Sequence, residues 1–98
     1  MKNMTAAELQ NALENNEALN IIDVRETEEV KAGKIPGAVN VPLSILEFKY
    51  QDLDKAKPYI IVCRSGGRSA QASQFLEGQG FDVTNMSGGM MSWNGTVE

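Results

Sequence analysis

The sequence predicts an α/β fold, a mostly parallel sheet with helices on both faces, and three observations lead there. Short apolar runs alternate along the chain with helix-compatible stretches. The strongest run, residues 58–63 (PYIIVC), is β-branched and uninterrupted, the composition of a strand buried on both faces. The intervals between runs are long enough for helical crossovers, which parallel neighbours require.

Each element has its own local reason. Thr5-Ala6-Ala7-Glu8 is a capping box that opens an amphipathic helix with Leu9 and Leu13 one turn apart. Residues 19–24 (LNIIDV) read as a short buried strand, and 27–33 (TEEVKAG) as a short helix closed by Gly33. Pro36-Gly37 marks a turn, followed by a brief strand at 38–41 that Pro42 stops. Residues 43–50 (LSILEFKY) are expected to be helical. After the strand at 58–63, residues 68–78 carry Ala72, Phe75 and Leu76 on one helical face, with Gly80 placed to end that helix. A last strand is expected in FDVTNM, then a glycine turn and about one helical turn in SGGMMSWNG.

Composition narrows the function. Ninety-eight residues, 42% apolar and 22% charged, suit one globular domain spanning 1–98. One cysteine excludes an intrachain disulfide and a CxxC redox pair, and a chain without histidine offers no ordinary zinc site, so neither metal nor cofactor is expected. The first residues have no apolar stretch of signal-peptide type, and no segment approaches a membrane span, so the expectation is a soluble, cytoplasmic protein without a membrane partner. The net charge of −4 argues against nucleic acid. Yet residues 55–76 hold Lys55, Lys57, Arg64 and Arg68 and no acid, a window of +4 against 5 − 13 = −8 for the rest. Such a window suits a small anion, although lysines on a solvated loop would look the same.

The cysteine stands where this fold binds ligands. Cys63 ends the strongest strand, and open α/β sheets bind beyond the carboxyl ends of their strands. The glycines of the following turn let successive N–H groups converge on one spot, and the next helix points its N-terminus there. A thiol so placed is ionised by backbone donors and by Arg64 or Arg68, with no partner base. A Cys–His hydrolase is excluded, since the chain has no histidine.

CRSGGRS after a strand, with IIDVRE and GKIPGAVNVP before it and GFDVTNMSGGMMSW after it, resembles a single-domain rhodanese, a sulfurtransferase. The resemblance runs from the TAAEL helix to Trp93 and implies a rhodanese-like α/β fold of about five short strands. It also implies that Cys63 takes a sulfane sulfur as a persulfide and passes it to a thiophilic acceptor. Arg64, Ser65, Gly66, Gly67, Arg68 and Ser69 would then form the substrate-binding loop. Asp23 and Arg25 match the family's D-x-R, a supporting pair near the site, and Gly88, Gly89 and Trp93 match its closing G-G-x-x-x-W. The partners implied are a small anionic donor such as thiosulfate, a cyanide or thiol acceptor, and a protein donor or acceptor. Lys34 replaces the family's common histidine, and Ser65 stands where some thiosulfate users carry a second basic residue, so the donor stays open.

Plainer readings exist for the same residues. Cys63 could be an inert core thiol, Arg64 and Arg68 solvated charges, and Asp23 with Arg25 a buried ion pair at a strand end. Trp93 with Met86, Met90 and Met91 reads better as a hydrophobic cap than as a cofactor surface. Two other functions compete with sulfur transfer. A phosphatase or arsenate reductase would enclose five residues between cysteine and arginine, whereas Cys63 and Arg68 enclose four. A non-catalytic interaction module usually lacks the cysteine or an intact loop. A persulfide relay serving only a protein partner has the same sequence signature as the enzyme.

Overall fold

A computed structural model describes all 98 residues and shows a five-stranded, wholly parallel sheet. In chain order the elements are β1 (Lys2–Thr5), α1 (Ala6–Glu14), β2 (Ile21–Asp23), α2 (Thr27–Val30), β3 (Val39–Asn40) and α3 (Leu43–Lys49). A 3₁₀ turn (Tyr50–Asp52) precedes β4 (Tyr59–Val62), α4 (Gly67–Gly78), β5 (Val83–Ser87) and a second 3₁₀ turn (Gly89–Ser92). The strand order is β1-β5-β4-β2-β3, so β4 lies in the middle.

The apolar runs carry no polar alternation because both faces of the sheet are buried. Ile21, Ile60, Val62 and Met86 face one layer, closed by Ala6 and Leu9 of α1 together with Ile35 and Ala38. Ile22, Ile61, Cys63 and Val83 face the other, closed by Leu46 of α3 and by Ala72 and Leu76 of α4. The predicted capping box is present: the Glu8 amide donates to Thr5 Oγ1 at 3.0 Å, and the Thr5 amide donates to Glu8 Oε1 at 2.9 Å.

One strand escapes sequence reading. Residues 2–5 (KNMT) have no β-branched apolar residue and only Met4 partly buried against the core, but they pair in register with β5, from Lys2 opposite Thr84 to Thr5 opposite Ser87. At a sheet edge the ladder hydrogen bonds and the Lys2–Asp82 ion pair hold the strand, without apolar periodicity.

The topology fixes where a site can form. From β2 the chain runs outward to β3 on one side, and from β4 outward to β5 on the other. The connections therefore part at the carboxyl ends of β2 and β4, the crevice where doubly wound sheets bind ligands. Asp23 ends β2 on one side of it, and Cys63 follows β4 on the other.

Asp23 and Arg25 are buried at this crevice and neutralise each other. Arg25 Nη2 donates to Asp23 Oδ2 at 2.8 Å, its Nε donates to the same carboxylate, and its amide donates to Asp23 Oδ1. Arg25 Nη2 also donates to the Gly33 carbonyl at 2.8 Å, tying the strand end to the segment after α2. Asn40 of β3 closes the turn by donating to the Asp23 and Arg25 carbonyls. Asp23→Ala strands a buried guanidinium and should cost about 3–5 kcal/mol in denaturant titrations. A loss below about 1 kcal/mol would mean that backbone carbonyls alone satisfy Arg25.

Candidate functional site

The turn after β4 folds around a single sulfur atom. Cys63 has no exposed surface, and its Sγ lies 3.0 Å from the Gly66 amide, which donates to it. The protonated thiol donates to Ser69 Oγ at 3.2 Å, and Ser69 in turn donates to the Gly66 carbonyl. When the thiol loses its proton, the Ser69 hydroxyl has only to rotate to become a donor to the sulfur.

Glycine is required at Gly66 for two separate reasons. The residue sits at φ +104°, and a Cβ there would lie 3.1 Å from the Gly88 amide nitrogen. Gly67, by contrast, opens α4 with free space around it. The helix therefore starts one residue before the Arg68 expected from sequence.

A second loop supports the first from behind. The amides of Met90 and Met91 donate to the carbonyls of Cys63 and Arg64 at 2.8 and 2.9 Å, so both carbonyls are satisfied by the second loop. That approach needs Gly89, at φ +60°, because a Cβ there would overlap the Arg64 carbonyl and lie 2.6 Å from the Cys63 oxygen. Gly88 and Gly89 thus serve the site through the backbone. Trp93 instead packs in the α1 layer and donates its indole N–H to the Thr96 carbonyl.

Burial has the largest effect on the Cys63 thiol and pushes its pKa up. Hydrogen bonds from the Ser69 hydroxyl and from the amides of Ser69, Gly66 and Ser65 act in the opposite direction and prevail, holding the thiol below its ordinary value. The two arginines expected to help ionise the thiol act, at most, through charge at a distance. Neither guanidinium donates to Sγ. Arg64 is exposed. Arg68 lies close enough to be stabilised by charge on Cys63, but its two outer nitrogens donate to Glu29 Oε1 and Oε2 at 2.6 and 2.7 Å.

The basic window is also dispersed. Lys55 and Lys57 precede β4 at the opposite end of the sheet from Cys63, where Lys55 lies over the Phe81 ring. The positive charge near the sulfur is therefore much less than the sequence suggested. Sequence reading missed Glu29, because a glutamate in TEEVKAG carries no local sign of a partner 39 residues away. It found Ser69 as a loop residue without its role as the switching hydroxyl.

Cys63 alkylation by iodoacetamide should follow the thiolate fraction, rising with pH through a midpoint below the ~8.5 of a free thiol. Ser69→Ala removes one lowering hydrogen bond and should move that midpoint to higher pH. Arg64→Gln should leave it nearly in place. Equal shifts in both variants would show that Arg64 matters as much as the Ser69 hydroxyl and would overturn this assignment.

Comparison with known proteins accords with this geometry. Residues 5–96 match the rhodanese-like domain family. YtwF of Bacillus subtilis (strain 168), provisionally named a sulfurtransferase, is 44% identical over 98 residues, covering 100% of this chain and 95% of that protein. A protein of Allochromatium vinosum named sulfurtransferase is 34% identical over 86 residues, covering 87% of this chain and 80% of that one. The crystal structure of a rhodanese-like domain protein from Staphylococcus aureus superposes with a TM-score of 0.94 at 37% identity, over 100% of this chain and 97% of that one. In fold, in sequence and in the loop closed around one cysteine sulfur, this chain belongs to the rhodanese-like domain family.

Proposed function

We propose that this chain is a sulfurtransferase that carries sulfane sulfur on Cys63 as a persulfide. The observation that carries the reading is the cradle itself: a buried sulfur contacted by the Gly66 amide at 3.0 Å and the Ser69 hydroxyl at 3.2 Å. The names of the A. vinosum relative and of YtwF support it.

With thiosulfate as donor, the Cys63 thiolate attacks the outer sulfur, the donor's S–S bond breaks and sulfite leaves. The new Cys63 Sγ–S bond carries one negative charge on the terminal sulfur. Cyanide then attacks that sulfur, the Sγ–S bond breaks, thiocyanate leaves and the thiolate returns. A thiolate acceptor takes the sulfur in the same way, becoming a persulfide. Both steps conserve charge and need no added oxidant or reductant. The amides of Ser65, Gly66 and Ser69 stabilise the anion as it moves outward by one bond. Asp23 and Arg25 support the site by holding the end of β2 rather than by touching the sulfur.

The same cradle weighs against the alternatives. Four residues between Cys63 and Arg68 give a ring fitted to one atom, narrower than the five-residue loop that surrounds a tetrahedral oxyanion. An interaction module has no need of a thiol with a lowered pKa. The sulfur donor and acceptor are taken to act in the cytoplasm, on one domain comprising residues 1–98. No helix is long and apolar enough to cross a membrane.

Incubation with thiosulfate in the absence of reductant should add one sulfur atom by intact-mass spectrometry, removed by cyanide. Cys63→Ser should abolish both the mass gain and thiocyanate formation while keeping the fold, because oxygen forms no persulfide and the size change is small. More than trace turnover in that variant would remove Cys63 from the reaction.

A further inference from the structure

The second guanidinium of the loop is already occupied. Arg68 stands in the first turn of α4, where its charge opposes the helix dipole, and Glu29 of α2 neutralises it through two parallel hydrogen bonds. Those bonds are the largest influence on the Glu29 carboxyl. Burial opposes them, while the Glu26 amide and the charges of Arg68 and Arg25 add to them, and the result is a pKa of about 2. Glu29 is therefore ionised throughout the physiological range.

Glu29 is also anchored from its own side. Its Oε1 accepts from the Glu26 amide at 3.1 Å, closing the capping box of α2. Moving Glu29 off Arg68 would break the clamp and disturb the helix start together. Glu26 adds further negative charge near Arg68. The free positive charge at the loop is then Arg64 alone, exposed and screened by water. The remaining donors are amides and one hydroxyl gathered at the sulfur. They suit one negative charge, that of a thiolate or a persulfide, and leave little for a donor with two more.

From this geometry we infer that Glu29 is a specificity-determining residue: by holding Arg68 it tunes the site to persulfide donors of low charge and against dianionic donors such as thiosulfate. The inference rests on the sulfurtransferase reading above. In the favoured reaction the Cys63 thiolate attacks the terminal sulfur of an alkyl persulfide, R–S–SH. The donor's S–S bond breaks, the Cys63 Sγ–S bond forms, and the proton passes to the departing sulfur. The products are R–SH and the anionic Cys63 persulfide, so atoms and charge balance. No charge beyond the one already on the thiolate enters the cradle.

The test compares thiosulfate with benzyl persulfide, which has no other charged group, as donors for loading Cys63, followed by intact mass at low and high salt. Wild type should load faster from benzyl persulfide. Glu29→Gln keeps an amide oxygen for the Glu26 N–H and releases Arg68, so thiosulfate loading should rise roughly tenfold at low salt, with a smaller gain at high salt. Benzyl persulfide loading should change less than twofold. Arg68→Gln leaves Glu29 unpaired beside the loop and should act oppositely, cutting thiosulfate loading roughly tenfold with a much smaller loss for benzyl persulfide. If Cys63 is loaded but the two variants leave the donor ratio unchanged, Glu29 does not set donor class and the sulfurtransferase reading stands. If neither donor loads the wild-type protein, both readings fall.

Discussion

The structure is organised around one constraint: a sulfur anion with no exposed surface must find inside the protein the donors it loses in water. Burial alone would push the Cys63 thiol up and leave it inert. The amides of Ser65, Gly66 and Ser69 and the Ser69 hydroxyl reverse that sign, and they converge only because the chain turns back on itself between β4 and α4. That turn dictates residues elsewhere. Gly66 must adopt a positive φ, Gly88 must lie against it, and Gly89 must let a second loop bond the carbonyls of Cys63 and Arg64. With those carbonyls bonded to Met90 and Met91, the groups that contact the sulfur are N–H groups and one hydroxyl. A side chain at position 89 would push the supporting loop off the Cys63 and Arg64 carbonyls.

A second frame holds the loop laterally. Asp23 binds Arg25, Arg25 binds the Gly33 carbonyl, and the short helix between them presents Glu29 to Arg68 at the start of α4. The end of β2 is thus connected to the helix after β4 through charged groups, across the crevice where the two strands part. The two pairs differ in kind. Asp23 and Arg25 are enclosed, so their separation leaves an uncompensated buried charge. Glu29 and Arg68 are each about one-third exposed, at 33% and 34%, so water softens the energetic cost of parting them while the bidentate geometry still fixes where Arg68 points.

Much of this was legible in the sequence because its signals are local. The unbroken β-branched run before Cys63, the capping box at Thr5 and Glu8, and the glycines after Cys63 each act within a few residues. Position followed from them: a glycine turn after a parallel strand puts the cysteine where α/β sheets bind ligands. What was illegible depends on residues far apart in the chain. β1 exists because residues 84–87 offer a ladder to KNMT, and nothing in those four residues says so. Arg68 looked like a free cation because Glu29 lies 39 positions away, and the four-charge window looked concentrated because a linear count cannot show that β4 separates its lysines from its arginines. Ser69 looked like one more polar residue at a helix start, although one turn of helix brings its hydroxyl onto the sulfur.

A cradle one atom wide also constrains the order of the proposed chemistry. Cys63 has no second thiol to resolve a persulfide internally, so sulfur that arrives must leave by the same mouth. Before loading, the reactive atom in the proposed reaction is Sγ, which has no exposed surface, so a donor with a terminal transferable sulfur would meet the least steric resistance. After loading, the reactive atom is the outer sulfur, one bond nearer the solvent. The acceptor therefore faces a looser steric requirement than the donor. If sulfur transfer proceeds as proposed, shape at the ring and charge at Arg68 would both act on the first half-reaction, placing selectivity in the step that brings sulfur in. The second half-reaction is left open to any thiophile that can approach the outer sulfur.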